Sequence, residues 1–414
     1  MFDFITSNIL RNPPILLGLI AMIGLILQGK KIEEIIKGTA MTAFGMIILN
    51  EGVNMLVGSI LPISSAFSNI TGGAIGEGLN DATFTTSFGG EVGMAMFVAL
   101  VIHLLIARFT KFKTIFLTGH MLWWFPFIFV AAGVEAGLRG TLLIVISALF
   151  SALYWSIQPW ILRKYVWAVT EDESFLIGHP TGFLSLIAGF VSSKVGNKAN
   201  STEDLNVPKS LSFFREVSIS GGVVLLIVYL VISIVVPSLA EGQSAIMQAL
   251  NQGLSFGAGL LVLLYGVRLL ISQIVPAFKG ISEKLVPDSK PAFDCPILFN
   301  YKPNAVIIGF LTAMVVSTIV IVICNVIGVF PVLLLPLVVT SFFECGAAAV
   351  IAEGQGGLRG TIIGTSVAAI AMVFALGVSV TIYQSTISNW MLIFGGNDFS
   401  LFGSIAYWIM NIFA

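Results

Sequence analysis

Two of the three histidines in this 414-residue chain close the same phrase, Phe-Leu-x-Gly-His: "FLTGH" ends at His120 and "FLIGH" ends at His179. Each stands in an otherwise apolar run, as do Glu51, Asp294 and Glu344. Ionisable groups in such runs are expensive unless paired or hydrated, which makes them candidates for function. A neutral imidazole both donates and accepts hydrogen bonds, a carboxylate accepts several, and an indole face covers the C–H side of a ring. That set suits a polyhydroxylated solute. The candidate binding residues are His120, His179, Asp294, Glu344 and Trp124, with Thr118 and Thr181 from the two turns and Glu51 as further hydrogen-bonding groups. No Lys or Arg is buried mid-span, so a phosphorylated or multiply anionic solute would meet no counter-charge. A sugar, polyol or weak sugar acid is the class these residues imply. The competing reading of each histidine is an imidazole bonded to a backbone carbonyl. Glu51 has the alternative of pairing across helices or reaching a subunit surface, and His103 reads as structural.

The elements that must position these groups are membrane spans. Apolar residues make up 57% of the chain, charged residues 10%, and the mean hydropathy is +1.00, whereas soluble domains carry about 25% charged residues. A helix rising 1.5 Å per residue needs roughly 20 apolar residues to cross the hydrocarbon core, and about eleven stretches qualify. They fall near 13–28, 36–61, 92–107, 114–134, 140–162, 217–239, 255–275, 304–325, 327–343, 358–382 and 398–414. The stretches are long and continuous where barrel strands would be short and alternating, so the fold class is an all-α polytopic membrane protein. The first span reads as retained rather than as a cleaved signal, because Asp3 precedes it and Gly29-Lys30-Lys31 closes it.

Charge placement orients the bundle. Lys30, Lys31 and Lys37 follow the first span, Arg108, Lys111 and Lys113 the third, and Arg163 to Arg215 the fifth, while the loops around 62–90 and 240–253 hold no Lys or Arg. The positive-inside rule then predicts an outside N-terminus and a cytoplasmic C-terminus. Cys295, Cys324 and Cys345 lack paired ligand spacing, and no Gly-rich phosphate loop occurs, so no metal, no cofactor and no direct ATP use are expected. A nucleic-acid partner is not expected either.

Two segments, around 173–194 with His179 and 280–300 with Asp294, are too broken by Gly and Pro for plain crossing helices. They read as re-entrant hairpins, which survive at membrane depth only where protein or a cavity satisfies their backbone. "AGLRGT" at 136–141 and "GGLRGT" at 356–361 lie 220 residues apart. The predicted topology puts Arg139 outside and Arg359 inside, as two inverted repeats would, with the solute site between them. "SFGGEVG" and "AEGQGG" are candidate hinges or close-packing points.

The segments "PPILLGLIAMIGLILQGKKIEEIIKGT", "TIFLTGH", "FLIGHP", "FKGISEKLVPDSKPAFDC" and "PNAVIIGF" resemble, in order and along nearly the whole chain, the membrane subunit (IIC) of the ascorbate-type bacterial phosphotransferase permeases, within the ascorbate/galactitol superfamily. The resemblance implies a homodimer of eleven-span protomers in the bacterial cytoplasmic (inner) membrane. Each would have a V-shaped dimerisation part at 1–62 and 217–280 and a mobile core at 63–196 and 281–382. A cytoplasmic linker with an amphipathic segment would occupy 197–216 and a final helix 398–414, all within one transporter domain. It implies elevator-type import of ascorbate or a related sugar or polyol, with separate IIA and IIB proteins as partners and the phosphoryl-carrying residue on IIB. By the same resemblance His120 and His179 are the family's two Gly-His histidines, and Asp294 is its hairpin aspartate, a candidate catalytic as well as binding group. Ascorbate carriers have Gln four residues after the first histidine and directly after the second; Trp124 and Pro180 stand there. An ion-coupled secondary transporter using Asp294 or Glu344, and a signalling receptor that kept the fold, are the competing functions.

Overall fold

The computed structural model describes residues 12–70, 81–205, 216–240 and 244–414. Its helices are α1 (Pro13–Leu27), α2 (Ile32–Ile70), α3 (Asp81–Phe109), α4 (Met121–Glu135), α5 (Gly140–Thr170), α6 (Gly182–Val195), α7 (Val217–Val235), α8 (Ala245–Lys284), α9 (Pro296–Phe299), α10 (Pro303–Ile327), α11 (Val338–Ile382), α12 (Ser388–Phe394) and α13 (Asp398–Met410). Three short strands, β1 (Thr114–Phe116), β2 (Leu176–Ile177) and β3 (Lys290–Phe293), interrupt them. Among the described residues six helices are long and apolar enough to cross a membrane: most of α2, α3 and α8, and the whole of α5, α10 and α11. The whole of α4 and α6 and parts of α1 and α7 are shorter apolar helices. The protein is a multi-pass membrane protein.

Several sequence-predicted spans take a different form. The stretch 114–134 is divided into a strand, a turn and a 15-residue helix. Residues 328–337, which hold Pro331 and Pro336, are non-helical, so the stretch 327–343 is not a helix of its own; α11 begins at Val338. It runs on through the stretch 358–382, broken where Gly356 and Gly357 leave helical geometry. "AEGQGG" therefore does mark a joint, whereas "SFGGEVG" lies inside the continuous helix α3. Gly357 has φ +58°, and so does its counterpart 220 residues earlier adopt a positive φ, Gly137 at +93°. The two Gly-Leu-Arg-Gly-Thr copies thus share a left-handed backbone position that only glycine adopts without strain.

The strands form one parallel sheet in the order β1-β3-β2, a feature the hydropathy pattern does not reveal. Thr114, Ile115 and Phe116 pair with Lys290, Pro291 and Ala292, and Leu176 and Ile177 pair with Ala292 and Phe293. Backbone bonds extend the ladder at its ends, from Lys290 N to Lys113 O (2.9 Å), Leu117 N to Ala292 O (2.8 Å) and Gly178 N to Phe293 O (2.8 Å). Proline in a central strand normally removes a ladder donor. Successive residues of a strand address opposite neighbours, and Pro291 faces the β2 side before β2 begins, so nothing is lost there.

His103, buried on α3, secures the sheet's outer strand. Its Nε2 accepts from the backbone N–H of Phe116 (3.0 Å), and its Nδ1 lies 2.7 Å from the Ser156 hydroxyl on α5. Because Nε2 must accept, Nδ1 carries the proton and donates to Ser156, whose own hydroxyl donates to Ala152 O. The third histidine is thus a support for β1, the strand that leads to His120. His103→Leu should strand the buried Phe116 N–H and lower stability by about 1–3 kcal/mol, read as an earlier thermal unfolding midpoint in detergent; an unchanged midpoint would show that the bond contributes nothing.

Helices α1, α2, α7 and α8 pack on one another through small residues. A Cβ at Gly52 would lie 2.3 Å from Leu263 N, and one at Gly266 would lie 2.3 Å from Leu49 N, so α2 and α8 approach backbone to backbone. The predicted solvated linker begins as a docked segment: Asn197 N donates to Gly356 O (2.7 Å), Leu358 N to Asn200 O (2.7 Å), and Ser201 Oγ and Thr202 N to the buried carboxylate of Glu353 (2.6 and 3.1 Å). Glu203 accepts from Asn304 N at the start of α10 (3.0 Å), and burial pushes its carboxyl above the ordinary range. Residues 206–215, which include most of the expected amphipathic segment, lie outside the described residues.

Candidate functional site

All three strands run the same way, so their carboxyl ends open on the same side of the sheet. From β1 the chain turns through Thr118 and Gly119 to His120; from β2 it passes Gly178 to His179; β3 delivers Asp294 at its next residue. The parallel register converts three segments distant in sequence into one cluster. His120 Nε2 lies 3.6 Å from Asp294 Oδ2, and His179 Nε2 lies 3.4 Å from Asp294 Oδ1. Both separations exceed an N–H···O hydrogen bond, typically about 2.7–3.2 Å. The carboxylate is instead fixed by the backbone N–H of Cys295 (2.7 Å). Two imidazoles and a carboxylate held slightly apart leave room for hydroxyls to bridge them.

These groups line a cavity of about 180 Å³. Its polar lining is His120, His179, Asp294 and Glu344; Trp124 and Trp390 form an aromatic wall with ring centroids 4.9 Å apart, and Val53 and Val57 of α2 close another side. His120 keeps 32% of its side chain accessible against 5% for His179 and 10% for Asp294, so it is the most open of the three groups. Glu344 Oε1 accepts from Asn397 Nδ2 (2.7 Å), while its buried Oε2 has no partner. An acceptor left open in a cavity wall is available to a solute hydroxyl.

The structure brings five of the sequence-selected residues together and leaves three outside the lining. Thr181 is spent on structure, donating to Glu344 O (2.7 Å) beside Ser185. Thr118 is buried in the turn, its carbonyl accepting from Met121 N and Leu122 N, and does not reach the cavity. Glu51 is exposed on α2 and is absent from the lining, although Val53 and Val57 two and six residues on belong to it. Sequence reading missed Trp390, Phe399, Asn397, Asp398 and Tyr154. Only "GGND", at whose Asp398 helix α13 begins, carries a signal, a helix-start signature rather than a mid-span charge.

The ligating atoms of His120, His179 and Asp294 lie within 4.8 Å of one another, a set able to hold a metal ion although the sequence shows no ligand spacing. Metal-binding imidazoles normally anchor their second nitrogen on a carbonyl or carboxylate. His179 Nδ1 is buried without a partner, so the cluster fits hydroxyls better than a metal.

Glycine before the second histidine serves packing. A Cβ at Gly178 would lie 2.6 Å from the Phe116 ring and 3.2 Å from the Ala292 side chain, its neighbours in the sheet. Gly178→Ala should wedge β2 away from β3 and weaken solute binding about tenfold or more, a loss equivalent to roughly 1.4 kcal/mol. Equilibrium binding to the purified variant checks this, and wild-type affinity would refute it.

Fold and site together define a helical membrane protein with a cavity lined by two imidazoles, two carboxylates and an aromatic wall at the end of a buried parallel sheet. A family model described as the sugar-specific permease component of phosphotransferase systems (EIIC-GAT) matches residues 8–409. The chain belongs to that family. It is 24% identical, over 86% of its length, to an ascorbate-specific phosphotransferase EIIC component from Mycoplasma pneumoniae, and it spans 63% of the length of that relative.

Proposed function

We propose that this protein is the IIC permease of a phosphoenolpyruvate-dependent phosphotransferase system, importing a sugar, polyol or sugar acid that a separate IIB protein phosphorylates. The observation that carries this reading is the delivery of His120, His179 and Asp294 by three strand ends into one cavity, in a chain of the EIIC-GAT family. The cavity wall combines Val53 and Val57 of α2 with residues of α4, α11, α12 and α13, which suits a core that carries cargo past a fixed partner in an elevator-type movement. Under this reading 1–62 and 217–280 form a V-shaped dimerisation part, 63–196 and 281–382 form the mobile core, and the two halves are inverted repeats of an eleven-span homodimeric protomer with an outside N-terminus. The shared positive φ of Gly137 and Gly357 supports the repeat. IIA and IIB work from the cytoplasm, where the basic loops offer a docking surface.

Asp294 has a second role. A carboxylate beside the acceptor hydroxyl takes its proton as the phosphoryl group arrives from IIB. Asp294→Asn should therefore reduce phosphorylation more than binding, while His120→Ala and His179→Ala weaken binding directly. Labelled cargo, with and without phospho-IIB, separates the two readouts; equal loss of both in Asp294→Asn would make it a ligand only.

The relative's ascorbate specificity does not transfer directly. Trp124 lines the cavity in place of an amide, and the carbonyl of Pro180 is occupied by Asp398 N (3.0 Å). A solute group left without its partner costs about 1–3 kcal/mol, or ten- to a hundredfold in affinity. Ascorbate should rank below an uncharged polyol or sugar. The unpartnered Glu344 oxygen favours one competing reading, an ion-coupled carrier with Glu344 as proton site. Uptake into membrane vesicles against a panel of sugars, polyols and ascorbate decides: phosphoenolpyruvate with the soluble phosphotransferase proteins should drive it, and uptake driven by a proton gradient alone would overturn the proposal.

A further inference from the structure

Beside the turn that carries His179, and outside the cavity lining, lies a buried carboxylate with no role in the scheme above. Asp398 opens α13 and is fully buried, yet it is absent from the cavity lining. Its Oδ2 accepts from Gly182 N (2.9 Å) and from the Tyr154 hydroxyl; its Oδ1 accepts from Phe183 N (2.8 Å). Its own backbone N–H donates to Pro180 O, and the Tyr154 hydroxyl also reaches His179 O (3.1 Å). A phenol has one proton, so Tyr154 shares it between carboxylate and carbonyl. The turn from His179 to Phe183 is thereby held at four backbone groups by one aspartate and one tyrosine. A Cβ at Gly182 would lie 2.6 Å from Asp398 Oδ2, so the grip also requires glycine there.

The preceding residue extends the device. Asn397 donates to Glu344 Oε1 while its Oδ1 caps α13 by accepting from Phe399 N (3.1 Å). One dipeptide thus holds both the His179 turn and the Glu344 carboxylate. Two hydrogen bonds from a helix N-terminus and one from a phenol stabilise the buried charge of Asp398, in the manner of a charge-assisted N-cap contributed by a distant segment.

We infer that Asp398 and Tyr154 are positioning residues that set the His179 imidazole for cargo. This rests on the binding role proposed for His179. The imidazole ring itself makes no hydrogen bond from Nδ1, so its placement is inherited from its backbone, which the Asp398–Tyr154 pair holds from His179 O to Phe183 N beyond the sheet bond at Gly178. Loosening the pair lets the ring drift while the cavity walls stay in place.

The test uses the full-length protein in nanodiscs with labelled ascorbate and a labelled hexitol as probes. Tyr154→Phe removes one oxygen and should raise the dissociation constant of the better probe about tenfold; Asp398→Asn should do the same or more, and Asp398→Glu should restore part of it. In a His179→Gln background Tyr154→Phe should add less than about twofold, because interacting residues are not additive. Full additivity, or wild-type affinity in Tyr154→Phe, overturns the inference. Histidine ring signals in ¹⁵N-labelled protein give a second readout independent of binding: the His179 signals, identified by their loss in His179→Gln, should shift in Tyr154→Phe, and unmoved signals count equally against it. Wild-type binding of both probes by His179→Gln would instead sink the binding role of His179 itself, an outcome distinguishable from failure of the positioning pair.

Discussion

Backbone hydrogen bonding inside a membrane protein dictates the arrangement of this site. Polar backbone groups cannot be left to lipid, so non-helical chain is tolerated only where other protein satisfies it. Segments 114–120, 176–181 and 290–295 leave the helical state, and they satisfy one another as a three-stranded parallel sheet. The outer edge of β1 is closed by a side chain, His103. Because the strands are parallel, the constraint that forces them together also brings their carboxyl ends, and hence His120, His179 and Asp294, to one place. The site is a by-product of satisfying the backbone.

The same logic governs the segments around it. Carboxylates at chain breaks are repeatedly used to terminate helices: Asp398 at α6, Glu353 at the break in α11, and Glu203 at the start of α10. Glu135 does likewise for the turn before α12, accepting from Ser385 N, Ser385 Oγ and Thr386 Oγ1. Each joins segments far apart in sequence, so helices that would otherwise slide are pinned at their ends. Close glycine contacts hold α2 against α8, and the cavity lies where α2 meets the remaining helices.

Much of this was legible in the sequence, for physical reasons. Apolar length announces spans, and the ionisable residues in apolar runs include four that line the cavity, His120, His179, Asp294 and Glu344. The sheet was not legible: strands of two to four residues have no measurable alternation, and their partners lie about 116 to 176 positions away. The repeated Phe-Leu-x-Gly-His was visible, but the packing of its glycine at 178 against Phe116 and Ala292 in the sheet was not. Thr118 and Thr181 stand in the histidine turns and Glu51 in an apolar run, but neither position says which way a turn or helix face points. Asp398 escaped notice because a charge at a helix start resembles an ordinary cap; only the fold reveals that it grips a different helix. The break at Gly356–Gly357 was foreshadowed by "AEGQGG", whereas "SFGGEVG", which also holds three glycines, stays helical.

The most direct test of the central claim is an experimental structure with transported solute bound. Density should fill the cavity between the Trp124–Trp390 wall and the strand ends, with solute oxygens about 3 Å from the Nε2 atoms of His120 and His179 and from the Asp294 carboxylate. Solute bound elsewhere, for instance in the apolar groove between α7 and α8, with the two imidazoles and the carboxylate unengaged, would contradict it.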